Sequence, residues 1–330
     1  MRYILVILIT IGFSTVNAQT YQFIKKINLT GDGKWDYLKT DDEKERLFVS
    51  HQDRVNVVDI KSDTQIGEIT GLNSIHGIAL AKELKKGYIS NGGDNNITIF
   101  DYNTLKVLKT LTVVGKKADA IMYDKFSNQV FVFNNGSGNA VVINAKTDEV
   151  VGVIELGGAP EFAVSNGKGT IFNNNEDTQE ITVIDAKTHT VKNRYSLLPN
   201  EVPTGLAIDI ANNRLFSVCR KTKTLVVVDA SNGKIIDTLP IGGGVDAVVY
   251  DKVLKMIFTS NGDGNVTIVK QETPDKYSVV QTLQTKLGCK TMVHQGTTHR
   301  IYLSGADYKE GTKDVMPNTF GVMVYGIAGK

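Results

Sequence analysis

The run Ile97-Thr98-Ile99-Phe100-Asp101 decides the fold, because it recurs along the chain. It stands earlier as Val55-Asn56-Val57-Val58-Asp59, and later as Ala140-Val141-Val142-Ile143-Asn144, Ile181-Thr182-Val183-Ile184-Asp185 and Leu225-Val226-Val227-Val228-Asp229. Weaker copies end at Lys270 and Tyr325. From one closing residue to the next, the steps are 42, 43, 41, 44, 41 and 55 residues. Each copy is a run of β-branched and aromatic residues that meets a turn former, so it reads as a strand entering a hairpin. A period of roughly 40–45 residues is that of a four-stranded propeller blade.

Within a period four strands can be placed, as at 77–80, 87–90, 96–100 and 106–112, separated by lysine-rich, Gly-Gly-Asp and Asp-Tyr-Asn turns. The outermost strand follows the closing turn at 64–70, 105–113, 149–156, 190–197, 234–241 and 277–283. The last set, 291–325, lacks one, and an unassigned strand of the same character stands at 21–29. The expectation is an all-β chain: a seven-bladed β-propeller of four antiparallel strands per blade, closed by the N-terminal strand completing the last blade. Residues 19–330 then form a single domain.

Ahead of it, Met1-Arg2-Tyr3 is a short basic head, 4–13 is nearly all hydrocarbon, and Val16-Asn17-Ala18 offers small residues to a signal peptidase. Residues 1–18 read as a signal peptide cleaved after Ala18, giving a secreted or periplasmic protein, with no later stretch of the roughly 20 apolar residues that span a bilayer. Loss of Arg2 would leave 36 basic against 35 acidic side chains, so no net field attracts polyanions. The only cysteines, Cys219 and Cys289, fall on blades five and seven, too far apart for the roughly 7 Å that a disulfide tolerates. Free thiols are expected.

Tyr88-Ile89-Ser90-Asn91-Gly92, Phe258-Thr259-Ser260-Asn261-Gly262-Asp263-Gly264-Asn265-Val266 and Val183-Ile184-Asp185-Ala186-Lys187-Thr188 resemble the repeat of the YVTN propellers, the YncE-like group of secreted bacterial proteins. Pro317-Asn318-Thr319-Phe320 looks like the last blade of some relatives. The resemblance covers essentially the whole chain after the leader and implies the fold. It leaves the activity open, since such propellers serve as binding platforms, enzymes and assembly modules. The closing residues Asp59, Asp101, Asp185 and Asp229 read as turn formers that accept backbone N–H groups.

Function in a propeller gathers on the face where loops enter the innermost strands and leave the second strands. Aligned at the entry, the blades give Asp36, His76, Asp119, Glu161, Thr204, Asp246 and Lys290. Four carboxylates around one mouth raise one another's pKa or recruit a cation. Lys290, a hard cation such as Ca²⁺, or the ammonium group of a ligand would answer that need. The alternative is a wet tunnel whose carboxylates face water. Aligned at the exit of the second strand, the blades give His51, Asn91, Asn134, Asn174, Cys219, Asn261 and Gly305, expected to add amides and imidazole above the carboxylates. A metal could be held by Asp36, His76, Asp119, Glu161 and Asp246, with His51 as a further candidate. The extra residues 306–317 fall on the same face, with Tyr308 and Met316 as candidate ligand contacts or as packing over the closure seam. Trp35 reads as core packing beside this mouth.

The reading that follows is a monomeric, non-catalytic binding module offering its acidic funnel to a small molecule, a metal or a protein loop. Its alternative is a metal-dependent propeller hydrolase or lactonase, since no Ser-His-Asp nucleophile motif is present. The resemblance also raises single-stranded nucleic-acid binding. The neutral balance and acidic funnel argue against it unless Lys116-Lys117 and Arg220-Lys221-Lys223 form one stripe.

Overall fold

In the computed structural model, which describes residues 20–328, each repeat becomes a four-stranded antiparallel sheet, and among the described residues there are seven such sheets. The expected leader, residues 1–18, lies outside the described residues. Blades 1 to 6 occupy 35–69, 75–112, 118–155, 160–196, 203–240 and 245–284 in chain order. Blade 7 combines 292–295, 300–305 and 321–327 with the N-terminal strand Tyr21–Asn28, which pairs antiparallel from Tyr21 opposite Ile327 to Asn28 opposite Gly321. The ring is therefore closed by the first strand of the chain, as expected. No helix among the described residues is long and apolar enough to cross a membrane.

The valine-rich runs have a simple cause. A strand with one face in water alternates polar and apolar residues, whereas one covered on both faces is apolar throughout. Second strands such as Arg46–His51 are buried along their whole length, because a neighbouring blade covers each face. Outermost strands such as Val107–Thr112 lie largely in solvent. The core is accordingly a set of clusters between blades. One joins Tyr88, Ile97 and Ile99 of blade 2 to Val130, Val132 and Val141 of blade 3. Another joins Phe258 and Ile268 of blade 6 to Tyr21, Ile301 and Tyr325 of blade 7.

The Asp turns behave as expected. Asp59 Oδ1 accepts the Ser62 N–H at 2.7 Å, Asp101 Oδ1 that of Thr104 at 2.7 Å, and Asp185 Oδ1 that of Thr188 at 2.8 Å. Four residues after the turn former the chain enters the left-handed region, at Asp63, Leu105, Asp148, His189 and Gly233. Only the last is glycine, so the other turns carry a backbone cost that the closed ring must outweigh.

The closing strand puts Tyr21 at the seam. Its ring is 2% exposed and meets Phe258 edge-on at 4.9 Å, and its hydroxyl donates to the His299 carbonyl at 2.7 Å. Tyr21→Ala should cost roughly 3–5 kcal/mol in urea denaturation, the usual loss for a buried aromatic ring, and Gln22→Ala on the solvent side no more than about 0.5 kcal/mol. Deletion of residues 20–28 should lower the Tm sharply or produce aggregates, and an unchanged melt would show that the seam does not close the ring.

Candidate functional site

The innermost strands of all seven blades line one central cavity of about 530 Å³, from Tyr37 and Phe162 at one end to Tyr123, Tyr250 and His294 at the other. In six blades the residue that precedes this segment is the one predicted for the entry, namely Asp36, His76, Asp119, Glu161, Thr204 and Asp246, and in blade 7 Lys290 stands two places before it. Ring closure brings together groups far apart in the chain. His76 Nδ1 lies 2.5 Å from Asp36 Oδ2 and 3.7 Å from Asp119 Oδ1. Lys290 Nζ lies 2.6 Å from Asp246 Oδ2. Thr204 is buried, its hydroxyl directed at the carbonyls of Val218 and Val245 at 3.4 Å, and it presents nothing to the mouth.

The second ring is placed differently from its expected position. His51, Asn91, Asn134, Asn174 and Asn261 are each at most 1% exposed. Asn91 Nδ2 donates to Thr98 Oγ1 at 3.0 Å, Asn134 to Asn139 Oδ1 at 2.8 Å, and Asn261 to Thr267 Oγ1 at 3.1 Å, all within their own blades. Asn174 donates to the carbonyls of Thr204 and Gly205 and ties blade 4 to blade 5. His51 stacks on Phe320 at 3.8 Å, and burial lowers its pKa, so it is no partner for His76 at the mouth. The reason is strand alternation. Asn91, Asn134 and Asn261 end their second strands and bond within the blade, Asn174 stands one position before the end of Thr170–Asn175 and bonds the next blade, and side chains just past the strand ends reach the mouth.

Those next residues supply the groups the sequence reading missed. Arg220 Nη2 pairs with Asp246 Oδ1, its Nη1 lies 3.1 Å from Glu176 Oε1, and its Nε donates to the Val245 carbonyl at 3.2 Å. Asn135 Nδ2 donates to Glu161 Oε1 at 2.9 Å, and Lys117 Nζ stands 3.9 Å from Asp119 Oδ2. Arg220 thus turns into the mouth, Lys117 stands half exposed beside Asp119, and Lys221 is paired with Glu201. Shifting the alignment by one residue would have found Asn135 and Arg220.

Charge compensation around the mouth is uneven. Asp246 has two cations. Asp119 is pushed up to about 6, chiefly by burial, with His76 opposing and Asp36 reinforcing the shift. Glu161 goes up to about 9 by burial, then by repulsion from Asp119, Glu176 and Asp246, against a smaller pull from Arg220. Burial disfavours a charged His76, but its bond to Asp36 and the Asp119 carboxylate outweigh that and raise its pKa. Below the carboxylates Tyr37 of blade 1 reaches Phe162 of blade 4, ring centroids 5.4 Å apart across the axis. Burial first, and then the four carboxylates, raise its phenol well above the ordinary value.

The insertion 306–317 folds as a hairpin over the seam, within the connection that runs to the last strand at Gly321. Tyr308 bridges to Val315, Lys309 N–H donates to the Asp314 carbonyl at 2.8 Å, and Asn318 N–H donates to Asp32 Oδ1 at 2.8 Å. Trp35 lies 5.6 Å from the Phe320 ring and 6.2 Å from that of Tyr308, so it packs as expected. Tyr308 is half-buried against Trp35, and Met316 is 42% exposed. Cys219 and Cys289 are buried free thiols, each pushed up to about 12 mainly by burial.

Sheets, closure and mouth together define a seven-bladed β-propeller with an acidic tunnel entrance. The chain is similar to the uncharacterized protein YncE of Salmonella typhi, at 23% identity over 191 residues, which are 56% of this chain and 53% of that protein. The match thus spans about half the length of the curated relative. No family model matches the chain. Among solved structures it is similar to the RRP9 WD40 repeats, with a TM-score of 0.80 at 9% identity over 92% of this chain and 97% of that one. U3-55K gives a TM-score of 0.79 at 9% identity, covering 92% of this chain and 98% of that one. A chain of the mitotic checkpoint complex gives 0.77 at 10% identity, covering 99% of each. At such identities the likeness is one of fold.

Glu161 makes the mouth sensitive to pH. A carboxyl whose pKa is higher folded than unfolded contributes stability below the unfolded value, near 4.3, which is lost as pH rises toward about 9. Glu161→Gln should therefore flatten the fall in Tm between these limits and raise the Tm at pH 8 by on the order of 5 °C in chelator-treated protein. Parallel pH profiles for the two proteins would remove Glu161 from this role.

Proposed function

We propose that the protein is a secreted binding module of the YVTN-repeat type, whose tunnel mouth captures a divalent cation on Asp36, His76 and Asp119. The observation that carries the reading is the convergence of these three side chains, one ligating atom from each lying within 4.8 Å of the others. They come from three consecutive blades, so the arrangement exists only in the closed ring. Two carboxylates and an imidazole form a mixed O/N set that suits Mn²⁺ or a similar ion better than Ca²⁺, which takes oxygen alone. The side chains of Asp36 and His76 are 18% and 22% exposed, so the remaining coordination positions of an ion there would face solvent and accept a carboxylate or carbonyl of a ligand or of a partner's loop. Glu161 supports the same reading, because a carboxyl pushed up first by burial and then by neighbouring carboxylates is one whose ionisation an arriving cation would favour. Asp246 belongs to Arg220 and Lys290 and stands outside the ligand set. Removal of the leader after Ala18 would place this mouth outside the cytoplasm.

Titration of chelator-treated protein with Mn²⁺, read as loss of the free-ion electron paramagnetic resonance signal, should give one bound ion per chain. His76→Gln and Asp119→Asn should each weaken binding by about 10-fold or more, and binding should tighten between pH 6 and 8 as protons leave the mouth. Wild-type protein that takes up no Mn²⁺, or variants that bind it equally well, would overturn the proposal.

A further inference from the structure

The far end of the tunnel carries a second cluster of different character. Innermost strands that finish in Asp use that carboxylate as a strut between blades. One oxygen of Asp124 accepts the Ser127 N–H, and the other meets Ser165 of blade 4 at 2.7 Å. One oxygen of Asp209 accepts the Ala211 N–H, and the other meets Tyr250 and Gln271 of blade 6 at 3.3 and 3.0 Å. Asp41 reaches Lys82 and Tyr102 of blade 2. In each case the next blade offers a hydroxyl, amide or ammonium group that donates a proton.

The seam between blades 6 and 7 departs from this pattern. Asp251 Oδ1 accepts the N–H groups of Val253 and Leu254 at 2.9 and 3.0 Å, which fixes the carboxylate and leaves Oδ2 to face blade 7. There it meets two imidazoles. His294 Nε2, from the innermost strand Met292–Gln295, lies 3.0 Å away, and His299 Nδ1, from the following turn, lies 2.6 Å away. Unlike an ammonium or amide group, a neutral imidazole can turn a lone pair inward. The Nε2 of His294 is buried and, although 3.0 Å from Oδ2, has no aligned hydrogen-bond partner, so it is free to act as a ligand atom. The His294 ring is held nearly parallel to Phe258, 14° between planes, and its side chain is 11% exposed. The Asp251 side chain is 1% exposed.

We infer that Asp251, His294 and His299 form a second metal site, of the Zn²⁺ class, that staples blade 6 to blade 7. One ligating atom from each lies within 4.8 Å of the others. Two imidazoles and one carboxylate are a donor set that suits Zn²⁺, with bonds of about 2.0–2.2 Å and a tetrahedral preference. The two contacts at Oδ2 need open by less than about 1 Å to take such an ion. His294 lines the central cavity, which gives the ion a route in and leaves a fourth position toward the tunnel. The site also adjoins the closure, because the carbonyl of His299 is the acceptor of the Tyr21 hydroxyl. A bound ion would join the two blades at the seam that the N-terminal strand seals.

The test uses the full chain after leader removal, stripped with chelator, with His76→Gln plus Asp119→Asn as the background so that the mouth retains one ligand of its three. Zn²⁺ should bind this protein at one ion per chain and raise its Tm by about 5 °C at saturating concentration. Co²⁺ should bind in its place and give the visible absorption bands of a tetrahedral site. Adding His299→Gln, or separately His294→Gln, should abolish the stoichiometric ion and the bands while leaving Mn²⁺ uptake in the wild-type-mouth version intact. A folded background protein, carrying His76→Gln plus Asp119→Asn, with neither Zn²⁺ uptake nor Co²⁺ bands would overturn the inference whatever the other variants do. Unchanged Zn²⁺ binding after both histidine changes would overturn it as well.

Discussion

Every middle strand of this molecule is covered on both faces by other blades, and the rest of the structure depends on that arrangement. An isolated blade would leave two apolar faces in water, so the sheets are stable only in a ring. The ring in turn leaves no free edge at its join, because the first strand of the chain supplies the last strand of the last sheet. The clusters of apolar side chains straddle blade boundaries, as where Tyr21 meets Phe258, so closure and core formation are a single event. Closure is also what brings carboxylates from separate blades to one axis.

The cost of that convergence is distributed unequally. On one side Asp246, Arg220, Lys290 and Glu176 neutralise one another. On the other Asp36 and Asp119 share the single imidazole of His76, with Lys117 3.9 Å from Asp119, and Glu161 accepts a hydrogen bond from the amide of Asn135. An amide donates a hydrogen bond without supplying charge, so burial and the neighbouring carboxylates push the Glu161 pKa up against a smaller pull from Arg220. The polarity of the mouth is therefore that of an incomplete set of partners.

Blade number and closure strand were legible because they depend on period and alternation, which a strand writes directly into the sequence, whereas the entry column gave positions without saying which side chains face the axis, as buried Thr204 shows. The turn role of Asp59, Asp101 and Asp185 was legible for the same reason, since a residue that caps a hairpin recurs at a fixed place. The second ring was not. Asn91, Asn134 and Asn261 recur at equivalent places, and recurrence does not say on which face of a twisted strand a residue lies. Their neighbours Asn135 and Arg220 occupy the axial side, one position along. The pairing of Asp251 with His294 and His299 was invisible for another reason. Asp251 stands at a recurrent place, the end of an innermost strand, but its partners His294 and His299 are histidines that the other blades do not carry at the corresponding places.

The contact between Tyr37 and Phe162 joins blades that are not neighbours in the ring. Two rings meeting across the axis narrow the passage between the acidic entrance and the 530 Å³ cavity that they help to line. The aromatic pair thus forms the floor of the mouth and one end of the cavity at once, so a change to either ring would be felt on both sides of it.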